Sequence, residues 1–387
     1  MSELIHPETA SAEIDLDAFA ANVRAIAELV APAELMVVVK ADAYGHGILP
    51  CARTARAAGA RWLGVATIGE AKGLREAGDT GRLFCWLYGE DEDVVVPIAL
   101  DVDLAVHHPA QLSRVVAAAA TAGHPARVHL KVDTGLSRNG CPADRWADLC
   151  ADAAAAVETG AIEVVAVWSH LAASDDPGHP ATAAQTAAFD QAVQQARAAG
   201  LTVPIRHLAN SAAALGMPHL RFELVRVGIA AYGVDPADGD VAANAGIPLQ
   251  PVMRLRAQLL GAKAAGAGTA VSYGHTWAAT GETVLGLVPL GYADGIPRAA
   301  SSRDSGAAAA CMVAGRRTPI AGRVCMDQFV VDLGPGAREQ AGDEITLFGG
   351  AGFPSASEWA AACGTIGYEI VTRIGPRVQR RYAGGVQ

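Results

Sequence analysis

No two cysteines in this 387-residue chain stand in Cys-x-x-Cys spacing, and the seven that occur, at positions 51, 85, 141, 150, 311, 325 and 363, are odd in number. A zinc knuckle or a redox pair needs that spacing, so neither is expected, and no metal is expected. No apolar stretch approaches the roughly 18 residues of a spanning helix, which argues against a membrane partner. No Gly-x-Gly-x-x-Gly follows a first strand, which weighs against a nicotinamide dehydrogenase. Positive charge is scarce: 30 Lys and Arg face 40 Asp and Glu, a net charge of -10 that leaves no basic footprint for nucleic acid. The opening Met1-Ser2-Glu3-Leu4-Ile5-His6 lacks the basic-then-apolar shape of a secretory leader. With unpaired thiols, this sets the expectation of a reducing, cytoplasmic setting. Fixed-period repeats and low-complexity linkers are also missing.

What is present is a globular composition, 51% hydrophobic and 18% charged, in a chain long enough for two or three domains. From about 35 to 230, short β-branched runs alternate with longer Ala-rich helical patterns. The apolar runs are 36–40, 62–66, 82–87, 102–106, 127–132, 163–169, 203–208 and 223–227. Helix patterns cover 50–58, 68–77, 109–122, 142–157 and 182–199, and many close on glycine, at Gly59, Gly78, Gly123, Gly160 and Gly200, as left-handed C-caps do. Eight β-α units predict an α/β architecture, a closed (β/α)8 TIM barrel over 12–245, with an open doubly wound sheet as the alternative. After 246 strand and turn signals crowd together at 283–290, 310–313, 328–333 and 344–348, with one helix-like piece at 355–362. Residues 246–387 therefore read as a second, mainly antiparallel β domain.

The segment with most chemical content is Met36-Val37-Val38-Val39-Lys40-Ala41-Asp42-Ala43-Tyr44-Gly45-His46-Gly47. An apolar run delivers one lysine and then a glycine-rich turn. Desolvation lowers a lysine's pKa and makes its amine nucleophilic, which suits a Schiff-base lysine; a lysine snorkelling from a strand end is the plainer alternative. Active sites of such barrels sit at the C-terminal ends of the strands. Here those ends carry Lys40, Lys131 with Asp133 and Arg138, Ser169 with His170, His207 with Asn210 and Ser211, and Arg226 before Gly228 and Ile229. Each also has an ordinary reading. His170 could be a satisfied core histidine, Ser211 a helix N-cap, Arg226 half of a structural ion pair, and Lys131 the partner of Asp133.

Together these motifs resemble the alanine racemase family, fold-type III pyridoxal-phosphate enzymes. The resemblance starts at Val39-Lys40-Ala41-Asp42-Ala43-Tyr44-Gly45-His46-Gly47 and runs through Leu130-Lys131-Val132-Asp133-Thr134-Gly135-Leu136-Ser137-Arg138-Asn139-Gly140. It includes His207-Leu208-Ala209-Asn210-Ser211 and Val225-Arg226-Val227-Gly228-Ile229. In the second domain it continues through Val271-Ser272-Tyr273-Gly274-His275, Gly291-Tyr292-Ala293-Asp294-Gly295, Gly322-Arg323-Val324-Cys325-Met326-Asp327 and Thr365-Ile366-Gly367-Tyr368-Glu369. It departs modestly at Asn139, at Cys141 and at Gln379, where proline is expected.

The resemblance implies an isomerase that interconverts L- and D-alanine with pyridoxal 5′-phosphate, supplying D-alanine for the peptidoglycan of the cell wall; a broader amino-acid (serine) racemase is the alternative. It implies Lys40 and Tyr273 as the two catalytic acid/bases, and a homodimer in which Tyr273 and Met326 reach the partner's cofactor. The first strand, at about 10–15, would pack with the C-terminal domain. Tyr44, His170, Asn210, Ser211, Arg226, Gly228, Ile229 and Tyr368 would hold the cofactor together with Lys40. Arg138, Met326 and Tyr292 would bind or confine the substrate. Lys131 matches a lysine that is carbamylated in many members, where the added anion orients the arginine corresponding to Arg138.

Overall fold

A computed structural model of the chain describes residues 9–385 apart from 177, 238–239 and 303–307. The opening residues on which the leader reading rests, and the last two of the second domain, lie outside the described residues.

Strand β1 (Ala10–Asp15) comes first and Asp15 then caps the helix Leu16–Val30 by accepting the Ala18 N–H. The barrel strands are β2 (Glu34–Val38), β3 (Trp62–Thr67), β4 (Arg82–Leu87), β5 (Asp103–Val106), β6 (Ala126–Lys131), β7 (Ile162–Trp168), β8 (Ile205–His207) and β9 (Leu224–Val227). All eight are parallel, in the order β8-β7-β6-β5-β4-β3-β2-β9. The Arg226 N–H donates to the Ala209 carbonyl (3.0 Å), drawing β9 to the chain leaving β8, so the ring closes and the doubly wound alternative falls. Strands buried on both faces read as continuous apolar runs, as in Leu35 to Val38 of β2. Met36, Trp62, Phe84, Ala105, Ala166 and Trp168 form a cluster of their own inside the ring, so its lumen is packed rather than open.

The expected helices appear within about two residues of their predicted ends, and Gly59, Gly78, Gly123, Gly160 and Gly200 all have positive φ. Four differences stand out. The first barrel strand stops at Val38 because Ala41 to Tyr44 turn left-handed. The run at 203–208 shortens to Ile205–His207, since Pro204 has no N–H for a ladder. The helix Leu16–Val30 has no counterpart among the predicted patterns, and a second helix, Gly367–Thr372, follows Ala356–Cys363 in the β domain.

The remaining strands are β10 (Met253–Gln258), β11 (Gly261–Ala265), β12 (Ala270–Val271), β13 (Trp277–Ala278), β14 (Thr283–Val288), β15 (Ala310–Val313), β16 (Arg316–Ala321), β17 (Phe329–Gly334), β18 (Glu344–Phe348) and β19 (Gln379–Ala383). Nine strands form one sheet, β11-β14-β17-β16-β15-β18-β10-β1-β19, and β12 pairs with β13 alone. The sheet is antiparallel except where β1 lies parallel to β19. The strand that opens the described chain is thus built into the sheet of the second domain, between β10 and β19. Among the described residues no helix is long and apolar enough to cross a membrane.

Candidate active site

Lys40 leaves β2 at the barrel mouth. The four residues after it, Ala41, Asp42, Ala43 and Tyr44, have φ of 52–55°, a full left-handed turn built without glycine. Such a conformation costs about 1–2 kcal/mol per residue, so it must be held from outside. Glu70 does so: one carboxylate oxygen accepts the Ala41 N–H (2.6 Å), while the other accepts those of Ala66 (2.8 Å) and Thr67 (3.1 Å) in the capping box of the next helix. The Asp42 carboxylate accepts the Ile48 N–H (2.7 Å), and Arg380 of β19 donates to the Gly45 carbonyl (3.0 Å). The turn delivers Tyr44 beneath Lys40, whose Nζ lies 5.9 Å from the Tyr44 ring centre and 5.8 Å from that of Trp86. Burial pushes the Lys40 ammonium below the usual lysine range; Arg138 and, less strongly, Arg226 add to this, while Glu70 opposes it.

On β9, the strand paired with β2, Arg226 is almost wholly enclosed. It donates to the carbonyls of His207 (2.8 Å), Ser169 (2.9 Å) and Leu208 (3.2 Å) and to the Nδ1 atoms of His207 (3.1 Å) and His170 (3.2 Å). The ion-pair reading of Arg226 is therefore replaced: its partners are carbonyls and imidazoles. Burial lowers its guanidinium to about 9, which leaves it cationic at neutral pH. Burial, with Arg226 and Arg138 nearby, also keeps His170 neutral.

Where β9 ends, just past Arg226, lies a cradle. The Ser211 hydroxyl accepts the Gly228 N–H (3.0 Å), and a Cβ at Gly228 would come within 2.1 Å of the Tyr44 hydroxyl, so only glycine fits. Tyr368, from the short helix after Cys363, places its ring 6.3 Å from that of Tyr44. Burial pushes both phenols well up, so each remains a hydroxyl donor. Ser211 is not the N-cap of its helix; Asn210 is, accepting the Ala213 N–H (3.2 Å) and donating to Ser174 (2.7 Å). Its amide is thereby occupied, and the neighbouring serine faces the cradle.

Arg138 rides on a loop wound about Asp133, whose carboxylate accepts the N–H groups of Gly135 (2.9 Å) and Ser137 (3.1 Å). Asp133 is thus engaged locally, and Lys131 instead stacks its Nζ 4.5 Å over Trp168. Burial, then Arg226 and Arg138, lower Lys131 to about 8 against the pull of Asp133.

The second domain gathers its own set. The Tyr292 and Ala293 N–H groups donate to the carbonyls of Cys325 (3.0 Å) and Met326 (2.9 Å), and the Ser272 hydroxyl donates to the Arg323 carbonyl (2.8 Å). These clasped loops present Tyr273, Tyr292 and Met326, respectively 72%, 42% and 54% exposed. Sequence reasoning missed Glu70, although Thr67-x-x-Glu70 is a capping-box signal at a strand end, and it assigned no role to Trp86, Asp103 or His129.

A closed (β/α)8 barrel whose mouth gathers a lysine of lowered pKa, a buried arginine and a hydroxyl-lined cradle, joined to a β domain, is the architecture of a fold-type III pyridoxal-phosphate enzyme. Residues 14–236 match the family domain "Alanine racemase, N-terminal domain" and residues 252–382 "Alanine racemase, C-terminal domain". The chain belongs to the alanine racemase family. It is 50% identical over 97% of its length to an alanine racemase of Beutenbergia cavernae, 98% of which is covered. The crystal structure of an alanine racemase from D-cycloserine-producing Streptomyces lavendulae superposes with a TM-score of 0.94 at 49% identity, covering 98% of both chains. That of Bacillus anthracis with bound L-Ala-P gives 0.87 at 31% identity, covering 97% of this chain and 95% of that one. The family uses pyridoxal phosphate, and the residues fit it: an amine of lowered pKa, a cradle of hydroxyl donors beside a glycine amide, and a buried cation on the adjoining strand.

Proposed function

We propose that this chain racemises alanine, with pyridoxal 5′-phosphate bound through Lys40 and with Lys40 and Tyr273 of the partner subunit acting on opposite faces of the substrate. One observation carries the reading: Tyr44, Ser211 and the Gly228 amide converge beside Lys40, in a chain 50% identical over 97% of its length to an alanine racemase.

Tyr44, Ser211, Tyr368 and the backbone of Gly228 and Ile229 hold the cofactor phosphate, with Asn210 capping the helix that Ser211 opens. When bound, the cofactor supplies an electron sink for the pair left on Cα as its proton departs. Lys40 would take or return that proton at Nζ; the burial that lowers its pKa favours the neutral amine a base requires. Tyr273 of the partner subunit does the same at Oη from the other face. The 72% exposure of Tyr273 gives it no packing role within its own chain and suits a residue completed by a second copy. Arg226 would donate to the ring nitrogen and keep its own proton, with His170 against it in the polar network of the site. Arg138 and the Met326 backbone orient the substrate carboxylate, and Tyr292 narrows the approach to favour a methyl side chain.

Lys131 is carbamylated in this reading. Only a neutral amine captures carbon dioxide, and a pKa of about 8 supplies an appreciable neutral fraction. A carbamate signal in 13C NMR with labelled bicarbonate is expected, and a bare amine removes this part. The D-alanine product serves peptidoglycan synthesis in the cytoplasm.

The test is one purified sample. A visible cofactor band abolished by borohydride is expected, with conversion of L-alanine to D-alanine and slower turnover of L-serine. Lys40→Ala loses band and turnover. Tyr273→Phe loses proton exchange from one enantiomer far more than from the other. Mixing these two inactive variants restores activity, because a mixed dimer has one site with both native bases; failure to restore it sinks the shared site.

A further inference from the structure

Three fully buried titratable residues of the barrel have no part in the reaction described above, yet they join end to end. Asp103 opens β5 at the N-terminal rim, opposite the mouth. Its Oδ2 lies 3.1 Å from His129 Nε2 on β6; His129 Nδ1 lies 2.9 Å from His207 Nε2 on β8; and His207 Nδ1 lies 3.1 Å from Arg226 on β9. The four groups cross the packed lumen from one end of the barrel to the other. Aromatic rings hold the imidazoles in place: Phe84 stacks on His129 at 4.2 Å and 16°, and Trp168 on His207 at 5.4 Å and 6°.

The polarity of this chain is fixed by elementary donor counting. A guanidinium has only donors, so His207 Nδ1 must accept. Burial, with Arg226 and His129 at close range, keeps His207 neutral, and burial outweighs Asp103 at His129. Each ring then carries its one proton on Nε2 and passes a donor onward, His207 to His129 and His129 to Asp103. Burial works against the Asp103 anion, but His129, Arg82 and Arg127 hold its carboxyl below the usual range, with both arginines at 2.6 Å. A carboxylate set directly against Arg226 would take the guanidinium edge in a bidentate pair and turn it from the mouth. Placed across the barrel, it polarises the histidines without displacing the carbonyl and imidazole partners that hold both terminal nitrogens of Arg226.

The geometry points to Asp103 as a positioning residue for the reaction, holding Arg226 in place and in charge through the one-directional relay His129–His207. This rests on the proposed placement of Arg226 against the cofactor ring.

The test is 15N NMR of histidine-labelled protein, with and without cofactor, together with kinetics and the visible band of the holoenzyme. In the wild type both His129 and His207 should be neutral with the proton on Nε2. Asp103→Asn keeps the shape and removes the charge. It should shift the His207 resonances, although residue 103 touches only His129, move the cofactor band, and lower kcat about tenfold with KM little changed, the effect of weakening one buried charged hydrogen bond. His129→Phe, which preserves the ring stack, should lower kcat likewise and serves if the asparagine variant does not fold. A wild-type His207 protonated on Nδ1, or an Asp103→Asn variant whose His207 resonances do not move, overturns the relay. A shifted His207 resonance with an unmoved band leaves the relay standing and sinks instead the placement of Arg226 against the cofactor.

Discussion

The Tyr44 hydroxyl occupies the space that a side chain at residue 228 would need: a Cβ there would lie 2.1 Å from the oxygen and 2.7 Å from the ring carbon bearing it. The tyrosine comes from the turn after the first barrel strand and the glycine from the end of the last, so this contact locks the two ends of the ring around the cradle. Gly228→Ala should therefore expel the Tyr44 hydroxyl, at about 1–3 kcal/mol of overpacking, and weaken cofactor binding at least tenfold. Titration of the cofactor-free protein by absorbance measures this; native affinity would show that the cradle is not the phosphate site.

Glu70 bridges two strand ends with two different oxygens. Glu70→Gln retains one acceptor oxygen and must abandon either Ala41 or the capping box. A loss of about 1 kcal/mol is expected for one broken, largely exposed backbone hydrogen bond to a carboxylate, read as a lower urea midpoint, and kcat should fall because Lys40 loses its anchor. If the midpoint drops while kcat and cofactor affinity stay native, Glu70 is a helix cap and nothing more.

Acid should destabilise this fold through its buried histidines. Burial lowers His46 to about 4, although two backbone carbonyls oppose the shift, so the folded chain keeps it neutral where the unfolded chain protonates it. The unfolded state binds the extra proton between pH 6.5 and about 4, so stability rises with pH across that window and is lost as pH falls through it. His46 alone accounts for up to about 3 kcal/mol. Urea midpoints at pH 7 and pH 5 should show the decline, and His46→Asn, which keeps a donor toward the same carbonyls but does not titrate, should flatten it.

In the cofactor-free protein the Lys40 amine should react with an acylating reagent along a pH curve whose midpoint lies below the 10.5 of an ordinary lysine. Burial is the first cause and Arg138 the second, so Arg138→Leu should move the midpoint up and Glu70→Gln should move it down. Mass-spectrometric quantification of acyl-Lys40 gives the curve; a midpoint at or above 10.5 removes the account of Lys40 as a base tuned by its surroundings.

The barrel was legible because parallel strands covered on both faces must be apolar throughout, which separates them from the amphipathic helices between. The lysine, arginine and hydroxyl residues at the strand ends could be found for the same reason: polar groups closing apolar runs are conspicuous. The left-handed turn at Ala41–Tyr44 was not legible, because alanine and tyrosine disfavour positive φ and one aspartate signals at most a single left-handed residue, not a run of four. That conformation exists only because Glu70, 29 residues on, and Arg380, at the far end of the chain, hold its backbone.

Residue order alone set the alternation of strand and helix, the helix stops at glycine and the identity of the chemical groups, since these follow from local periodicity and backbone sterics. Folding in three dimensions chose which of those groups meet. Ser211 rather than Asn210 turns to the cradle, Asp133 binds its own loop while Lys131 lies on Trp168, and Asp103 reaches Arg226 through two imidazoles from strands that are not neighbours in the ring. The physical reason is that hydrogen bonds and burial act over a few ångströms of space, and closing the barrel brings within that range residues that are more than a hundred positions apart along the chain.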